Sequence, residues 1–291
     1  MELKTVPRRS ARYPPALREL YDPPEKLFVR GRPDVLPRTA VAVVGARSCS
    51  RYGAHVAREL AHDLAAAGIV VVSGLARGID GEAHRGALDA GGLTVAVLGC
   101  GIDRDYPRAH AELASRISVC GAVVSEYPPG VEPAPWRFPA RNRIIAALAA
   151  ATVVVEARER SGALITADFA LELGREVFAV PGEVTSALSA GTNDLLRQGA
   201  APLLGAADVL EALGVAPQPS APVAVSAAAA PVLAALADGP LGIDQLVHRT
   251  RIPTGDVAAA LVELELAGLV APADGLYRVS RGRTPVLPLP A

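Results

Sequence analysis

Cysteine and long apolar runs are scarce in this sequence. Its 291 residues include three cysteines, Cys49, Cys100 and Cys120, and this odd number without CxxC spacing argues against a disulfide framework or a zinc site. No apolar run reaches the roughly 18 residues that a membrane-spanning helix needs. The N-terminal stretch MELKTVPRRSARYPP has no apolar core of the signal-peptide kind. We therefore expect a cytoplasmic protein with no membrane contact and no metal.

Lysine is almost absent, and the positive charge is carried by arginine. Only Lys4 and Lys26 are lysines among 29 basic residues. Arginine is the better phosphate ligand because its planar guanidinium donates two parallel hydrogen bonds. The net charge is −1, but much of the arginine lies before Arg58 and between Arg137 and Arg143. A local basic surface is therefore compatible with a nearly neutral chain.

Apolar runs that end in glycine alternate with amphipathic stretches from residue 39 onward. TAVAVVG (39–45) is typical of a strand buried on both faces, and GAHVARELAHDLAAAG (53–68) has the period of a helix. The alternation predicts βαβ units, and hence an α/β fold with an extended Rossmann-like, doubly wound, mostly parallel sheet. Further strands are predicted at 69–74, 93–99, 121–126, 152–157 and 176–182, and further helices near 80–90, 108–118, 142–150, 163–173 and 193–199.

Composition divides the chain into five segments. Residues 1–38 form a short N-terminal segment with one short helix and the strand LFVRG, and residues 39–213 form the Rossmann-like domain. The proline- and alanine-rich stretch 214–224 is a predicted linker. Residues 225–283 contain three helical stretches and a hairpin signal, which predict a small winged helix-turn-helix domain, and 284–291 are a tail.

The third helix of the predicted winged helix is acidic. It carries Asp256, Glu263 and Glu265 but no arginine or lysine. Such a helix repels a phosphate backbone, so we expect this domain to contact a protein rather than to read duplex DNA.

Glycine, with arginine or serine, follows most of the predicted strands. In a doubly wound sheet, ligands bind beyond the carboxyl ends of the strands. Glycine allows a ligand to approach backbone N–H groups, and arginine adds charge, so the loops predict a site for a polyanion. Arg47 stands where the GxGxxG motif has its second glycine, and no P-loop is present, which argues against an NAD or ATP cofactor.

The stretch PWRFPARNRII (135–145) combines aromatic residues with arginines at the start of a helix. Aromatic rings stack on unpaired bases of any sequence. Phe138 lies between two arginines and is interpreted as such a ring. Trp136 is interpreted either as a stacking residue or as a core residue at the edge of the sheet. The cluster favours single-stranded nucleic acid over a small anion.

The motifs GARSCSRYG, SGLARGID, GCGIDRDYP, SEYPPG, FPARNRIIAAL, TVVVEA, SGALITADFALELGREVFAVPG and SAGTNDLLRQGA follow one another in this order. Through them the chain resembles the DNA-processing protein A family (DprA, also called Smf) over residues 13–213. The resemblance implies a homodimeric, non-catalytic protein without a cofactor. It further implies that the protein protects incoming single-stranded DNA and helps to load the RecA recombinase during natural transformation.

The resemblance and the loops together predict the binding residues. The expected single-stranded DNA site contains Gly45, Arg47, Ser48, Arg77, Gly78, Phe138, Arg141, Asn142, Arg143, Ser161, Gly162 and Thr166. Ala46 and Ala163 replace serines of the family pattern, so we expect binding to depend on arginine and backbone N–H groups. The apolar stretch 193–204 is the predicted dimer surface, with Asn193, Leu196 and Leu203 as its contacts.

Two other functions are compatible with the sequence. The first is a Rossmann-like nucleotide phosphoribohydrolase, although its PGGxGTxxE signature is broken here. We interpret the acids that such an enzyme would use as a helix cap or as partners of nearby arginines; they are Asp80, Glu126, Glu156 and Asp168. The second is a scaffold that contacts RecA or another partner without DNA.

Overall fold

The computed structural model describes residues 3–216, 223–273, 275–279 and 285–286. The chain divides into two compact units, 1–217 and 218–291. This division falls within the predicted linker, 214–224, and most of the predicted linker and tail lies outside the described residues. None of the helices described is both long and apolar enough to cross a membrane.

The first unit alternates strands and helices as the sequence predicts. Its helices are α1 (Arg51–Ala66), α2 (Ile79–Asp89), α3 (Ala111–Cys120), α4 (Arg137–Leu148), α5 (Gly162–Glu172), α6 (Ala190–Arg197) and α7 (Ala206–Ala212). Its strands are β1 (Leu3–Pro7), β2 (Lys26–Gly31), β3 (Ala40–Val44), β4 (Val70–Ser73), β5 (Thr94–Leu98), β6 (Ala122–Ser125), β7 (Ala151–Val154), β8 (Glu176–Ala179) and β9 (Ala201–Pro202). Helix α4 begins earlier than predicted because Pro139 lies in its first turn, where no N–H is needed.

All strands of the described first unit form one sheet, in the order β1-β2-β6-β5-β4-β3-β7-β8-β9. Strands β3 to β9 are parallel, whereas β1 and β2 are antiparallel to their neighbours. The strand order reverses between β3 and β7, which creates a crevice at their carboxyl ends. The predicted extended Rossmann-like fold is confirmed.

Two apolar layers enclose the sheet. Helices α1 and α2 cover one face through residues such as Leu60 and Ala83. Helices α4 and α5 cover the other face, where Ile144 packs in the same core as Tyr13 and Leu17 of the N-terminal segment. The sheet is therefore covered by apolar packing on both faces.

The N-terminal segment is part of the sheet and not a separate element. The predicted short helix is a 3₁₀ helix at Pro15–Glu19, and the predicted strand is β2. Strand β1 was not predicted, because Val6 is its only buried side chain and the strand is held by main-chain pairing to β2. The boundary drawn at residue 38 is therefore wrong as a structural boundary.

The second unit has the predicted three helices and hairpin. Its elements are β10 (Val223–Ala224), α8 (Ala230–Ala235), α9 (Ile243–Thr250), α10 (Thr254–Leu266), β11 (Val270–Ala273), β12 (Leu276–Val279) and β13 (Pro285–Val286). Leu246, Val257 and Leu261 form its core. One acid of α10 has a structural role, since the Glu263 carboxylate accepts hydrogen bonds from the Ser226 N–H (2.9 Å) and hydroxyl (2.8 Å).

Candidate nucleic-acid interface

A cavity of about 480 Å³ lies beyond the carboxyl ends of β3 and β7 and against the start of α4. It brings together eight of the predicted binding residues: Gly45, Arg47, Phe138, Arg141, Asn142, Ser161, Gly162 and Thr166. Its position is the strand-order reversal where doubly wound sheets bind ligands. The residues that the sequence places far apart are therefore gathered by the topology.

An aromatic pair and an arginine stand at this cavity. The rings of Tyr106 and Phe138 stack at a centroid distance of 5.4 Å, and the Arg47 guanidinium lies 5.3 Å from the Phe138 centroid. A Cβ on Gly99 would lie 2.9 Å from the Phe138 ring, so this glycine leaves room for the ring. The sequence did not predict Tyr106, although its place in the loop after β5 was a usable signal. Arg47 itself is exposed.

Arg141 lies beneath the cavity rather than at its surface. Its side chain is buried, and its Nη1 donates to the carbonyls of Gly74 (2.8 Å) and Val97, which joins the ends of β4 and β5. Burial lowers the pKa of Arg141 to about 10, an effect that the nearby Asp80 carboxylate opposes. The group stays protonated at neutral pH and holds the loops together.

Asp80 is the buried acid opposite Arg141. Its Oδ2 accepts hydrogen bonds from the N–H groups of Gly74 (3.1 Å) and Ala76 (3.3 Å), as expected for a carboxylate that caps a turn. Burial raises the pKa of Asp80, and the Arg141 charge opposes this shift. Asp80 and Arg141 thus lie at the base of the cavity, and both are hydrogen-bonded to backbone groups of the protein.

The first turn of α5 opens onto the cavity. The Ser161 hydroxyl accepts a hydrogen bond from the Ala163 N–H (3.3 Å), and Asn142 donates to the Gly162 carbonyl (3.0 Å). A Cβ on Gly162 would meet nothing within 4 Å, and its φ is not positive. Neither packing nor backbone conformation requires a glycine here, so its small size leaves space for a ligand.

The first turn of α1 is closed by the protein itself. The Glu156 carboxylate accepts hydrogen bonds from the Ser50 N–H (2.9 Å) and the Ser50 hydroxyl (2.5 Å), and a Cβ on Gly53 would collide with it. A Rossmann protein holds the dinucleotide pyrophosphate at this helix end. A carboxylate there repels phosphate, which adds to the argument from Arg47 against a dinucleotide. Within the described residues, the Glu156 carboxylate pairs with Ser50 instead of the arginine that the sequence predicts.

Four predicted residues do not line the cavity. Arg143 forms an ion pair with Glu126 at 2.7 Å, so its positive charge is neutralised by a carboxylate of the protein itself. Ser48 and Arg77 are exposed on the neighbouring loops. Gly78 has a φ of +74°, and a Cβ there would collide with the Ala46 carbonyl, so this glycine is required by the turn.

Trp136 is not a core residue. Its side chain is 63% exposed, and the Arg137 guanidinium lies 4.7 Å from its ring centroid. The same guanidinium lies 5.3 Å from the Tyr127 ring. Trp136 is therefore an exposed ring beside the partly buried Arg137, two residues before Phe138 in the sequence.

The predicted dimer residues are largely used within the domain. The Asn193 amide exchanges two hydrogen bonds with the Gly182 backbone, at 3.2 and 3.1 Å. Leu203 is buried in the core beneath α1 and α7, and Leu196 packs partly against the opposite core. The assignment of Leu203 to a surface contact is therefore corrected; the neighbouring Leu204 is the exposed one.

Comparisons with known proteins agree with this architecture. The family described as DNA recombination-mediator protein A matches residues 4–214, and the DprA winged helix domain matches residues 216–275. The chain is 48% identical to a putative DNA processing protein DprA of Mycobacterium tuberculosis, over 85% of this chain and 66% of that protein. It is 42% identical to the protein Smf of Escherichia coli, over 94% of this chain and 76% of that protein. The chain thus spans just under two thirds of the mycobacterial relative.

Two solved structures have the same fold. DNA processing protein A from Streptococcus pneumoniae superposes with a TM-score of 0.70 at 44% identity, over 72% of this chain and 74% of that one. The Helicobacter pylori protein, described with a unique single-stranded DNA binding mode, has a TM-score of 0.67 at 30% identity, over 73% of this chain and 96% of that one.

Proposed function

Because the chain belongs to the DNA recombination-mediator protein A family, we propose that it binds single-stranded DNA in the cavity between α4 and α5. The relative from Helicobacter pylori, described as binding single-stranded DNA, supports this ligand. The observation that carries the proposal is the group formed by Arg47, Phe138 and Tyr106 at the cavity. A cation beside stacked rings is suited to an unpaired base with its phosphate.

The size and chemistry of the cavity fit one nucleotide. Its volume of about 480 Å³ lies within the range of small-molecule sites. Phe138 and Tyr106 offer apolar faces to a base, while Arg47 and the Gly162 N–H at the start of α5 offer donors to a phosphate. A base that enters this space must be unpaired, which explains a preference for single strands.

The binding residues divide into contacting and positioning groups. We assign contact with DNA to Arg47, Phe138, Ser161 and Gly162, with Arg77 nearby on the exposed side. Arg141 and Asn142 are assigned a positioning role, because their polar groups are bonded to backbone carbonyls. Binding therefore depends on few side-chain cations, and backbone N–H groups supply the rest.

We further propose, from the family resemblance, that the protein protects incoming DNA, helps to load RecA and acts as a homodimer without catalysis. The phosphoribohydrolase alternative has little support in the cavity. The one carboxylate among the described lining residues is Asp80, which is buried and hydrogen-bonded to backbone N–H groups. Such a group is poorly placed to activate a nucleophile.

The decisive experiment is a fluorescence titration with single-stranded and duplex DNA at several salt concentrations. We expect a preference for the single strand, and Arg47→Ala should weaken binding by about 10- to 100-fold through loss of a charge-assisted contact worth roughly 1.5–3 kcal/mol. Arg47→Lys is the matched control, because it keeps the charge but loses the planar contact with Phe138. Equal affinity of wild type for duplex and single strand would contradict the proposal.

A further inference from the structure

The N-terminal segment reaches the same edge of the sheet as the cavity. Strand β2 is antiparallel to β6 with Phe28 opposite Ser125, and β1 is antiparallel to β2 with Pro7 opposite Lys26. The residues just after Pro7 and just before Lys26 therefore lie at the carboxyl ends of the parallel strands. The DNA site proposed above lies at this edge.

This part of the segment has exposed cations. Arg8, Arg9 and Arg12 are exposed, and within the described chain no carboxylate forms an ion pair with them. The Arg18 guanidinium donates to the carbonyls of Arg8 (3.1 Å) and Ser10 (3.3 Å), which fixes the turn that presents them. The surface is therefore an ordered cluster of positive charge.

Three acids lie between Arg8 and Lys26, and they offset this charge only in part. Glu19 forms an ion pair with Arg175 at 2.5 Å, and Asp22 lies 3.9 Å from Arg143. Glu25 is exposed and, of the three acids, is the one without a described ion pair. The exposed Lys26 lies beside it in the sequence, so the local balance stays positive.

An aromatic side chain accompanies the cations. Tyr21 is as exposed as in an extended peptide, at 106%, so its ring contributes nothing to the core. Exposed rings beside arginines are the combination that binds unpaired bases without regard to sequence. The same combination occurs in Trp136 and Arg137 at the start of α4, next in sequence to the cavity residues Pro135 and Phe138.

The N-terminal segment contacts the helix that carries the cavity residue Phe138. The 3₁₀ helix Pro15–Glu19 packs against α4, whose first turn carries Phe138. Burial raises the pKa of Tyr13 to about 12, and the positive charges of Arg8 and Arg143 oppose this shift, so both arginines act on one ring. The five strand spacings from β3 to β1 span about 24 Å, a distance that only several nucleotides can cover.

We propose that Arg8, Arg9, Arg12, Lys26 and Tyr21, here called the N-terminal basic edge, form a second contact surface for single-stranded DNA. This proposal rests on the proposed function of the cavity, and it extends the path of the strand across the sheet. The arginines contact phosphates and Tyr21 stacks on a base. A strand that occupies the cavity alone does not reach this surface.

The test compares a short and a long oligothymidylate, of about four and about twenty nucleotides. In fluorescence anisotropy, Arg8→Ala combined with Arg9→Ala should weaken binding of the long oligomer about 10-fold and leave the short one unchanged. The plot of log affinity against log salt should become less steep by about 1.4, because each of the two lost phosphate contacts contributes about 0.7 to the slope. Tyr21→Ala should weaken long-oligomer binding a few-fold, whereas Tyr21→Phe should not.

The matched control is Arg38→Ala combined with Arg116→Ala, which removes the same charge from exposed residues before β3 and on α3. We expect this control to bind both oligomers like wild type. If the Arg8/Arg9 variant binds the long oligomer as tightly as the control, or loses the short one as well, the second surface is disproved. If wild type binds neither oligomer, the proposed function itself fails.

Discussion

The first turns of α1 and α5 both combine a serine with a glycine, but they differ in the groups that they leave open to a ligand. Both begin after a serine whose hydroxyl accepts a backbone N–H, Ser50 from Gly53 and Ser161 from Ala163. At α1 the Glu156 carboxylate accepts hydrogen bonds from the Ser50 N–H and the Ser50 hydroxyl, and it lies against Gly53. At α5, no carboxylate of the described chain accepts a hydrogen bond from the first turn, and the cavity lies there. A serine- and glycine-bearing loop is thus open to a ligand only when the neighbouring loop leaves it unfilled.

The largest expected effect comes from removing the carboxylate that closes α1. Glu156→Ala should lower the free energy of unfolding by about 2–4 kcal/mol, because the Ser50 N–H and hydroxyl lose their acceptor and a buried space is left. Urea denaturation measures this loss. Glu156→Gln keeps the shape and an acceptor oxygen, so its loss should be about half as large. An unchanged midpoint for Glu156→Ala would show that the closure of α1 is not structural.

A smaller effect is expected from adding a methyl group at α1. Gly53→Ala places a Cβ against the Glu156 carboxylate, and we expect a loss of about 1–3 kcal/mol from this overpacking. The affinity for single-stranded DNA should not change. In a background that already carries Glu156→Ala, the same substitution should cost little, because the colliding group is absent. Full additivity of the two losses would count against the contact.

The smallest effect on stability is expected from the same substitution at α5. Gly162→Ala meets nothing within 4 Å, and alanine favours a helix, so the unfolding free energy should stay equal or rise by up to about 1 kcal/mol. The affinity for single-stranded DNA should fall several-fold, since the methyl group occupies the open turn. For this variant, fluorescence anisotropy measures the affinity for DNA, and urea denaturation measures the free energy of unfolding. Unaltered DNA binding would remove this turn from the site.

The arginines of α4 show where prediction from sequence ends. Phe138, Arg141 and Arg143 were predicted as one binding cluster, because residue type and spacing suit single-stranded DNA. The structure places Arg141 under the cavity on two carbonyls and pairs Arg143 with Glu126. Neither partner is near in sequence, so no local pattern indicates that these charges are used inside the protein.

The sequence by itself determined the alternation of strands and helices from residue 39 onward, the winged helix and the family. These follow from periodicity, glycine at strand ends and motif order, which are local properties of the chain. Only the tertiary structure decided that Glu156 fills the start of α1, that α5 stays open, and that the N-terminal segment joins the sheet beside β6. Each of these depends on contacts between residues distant in sequence, and a buried donor or charge takes whichever partner the fold brings within reach.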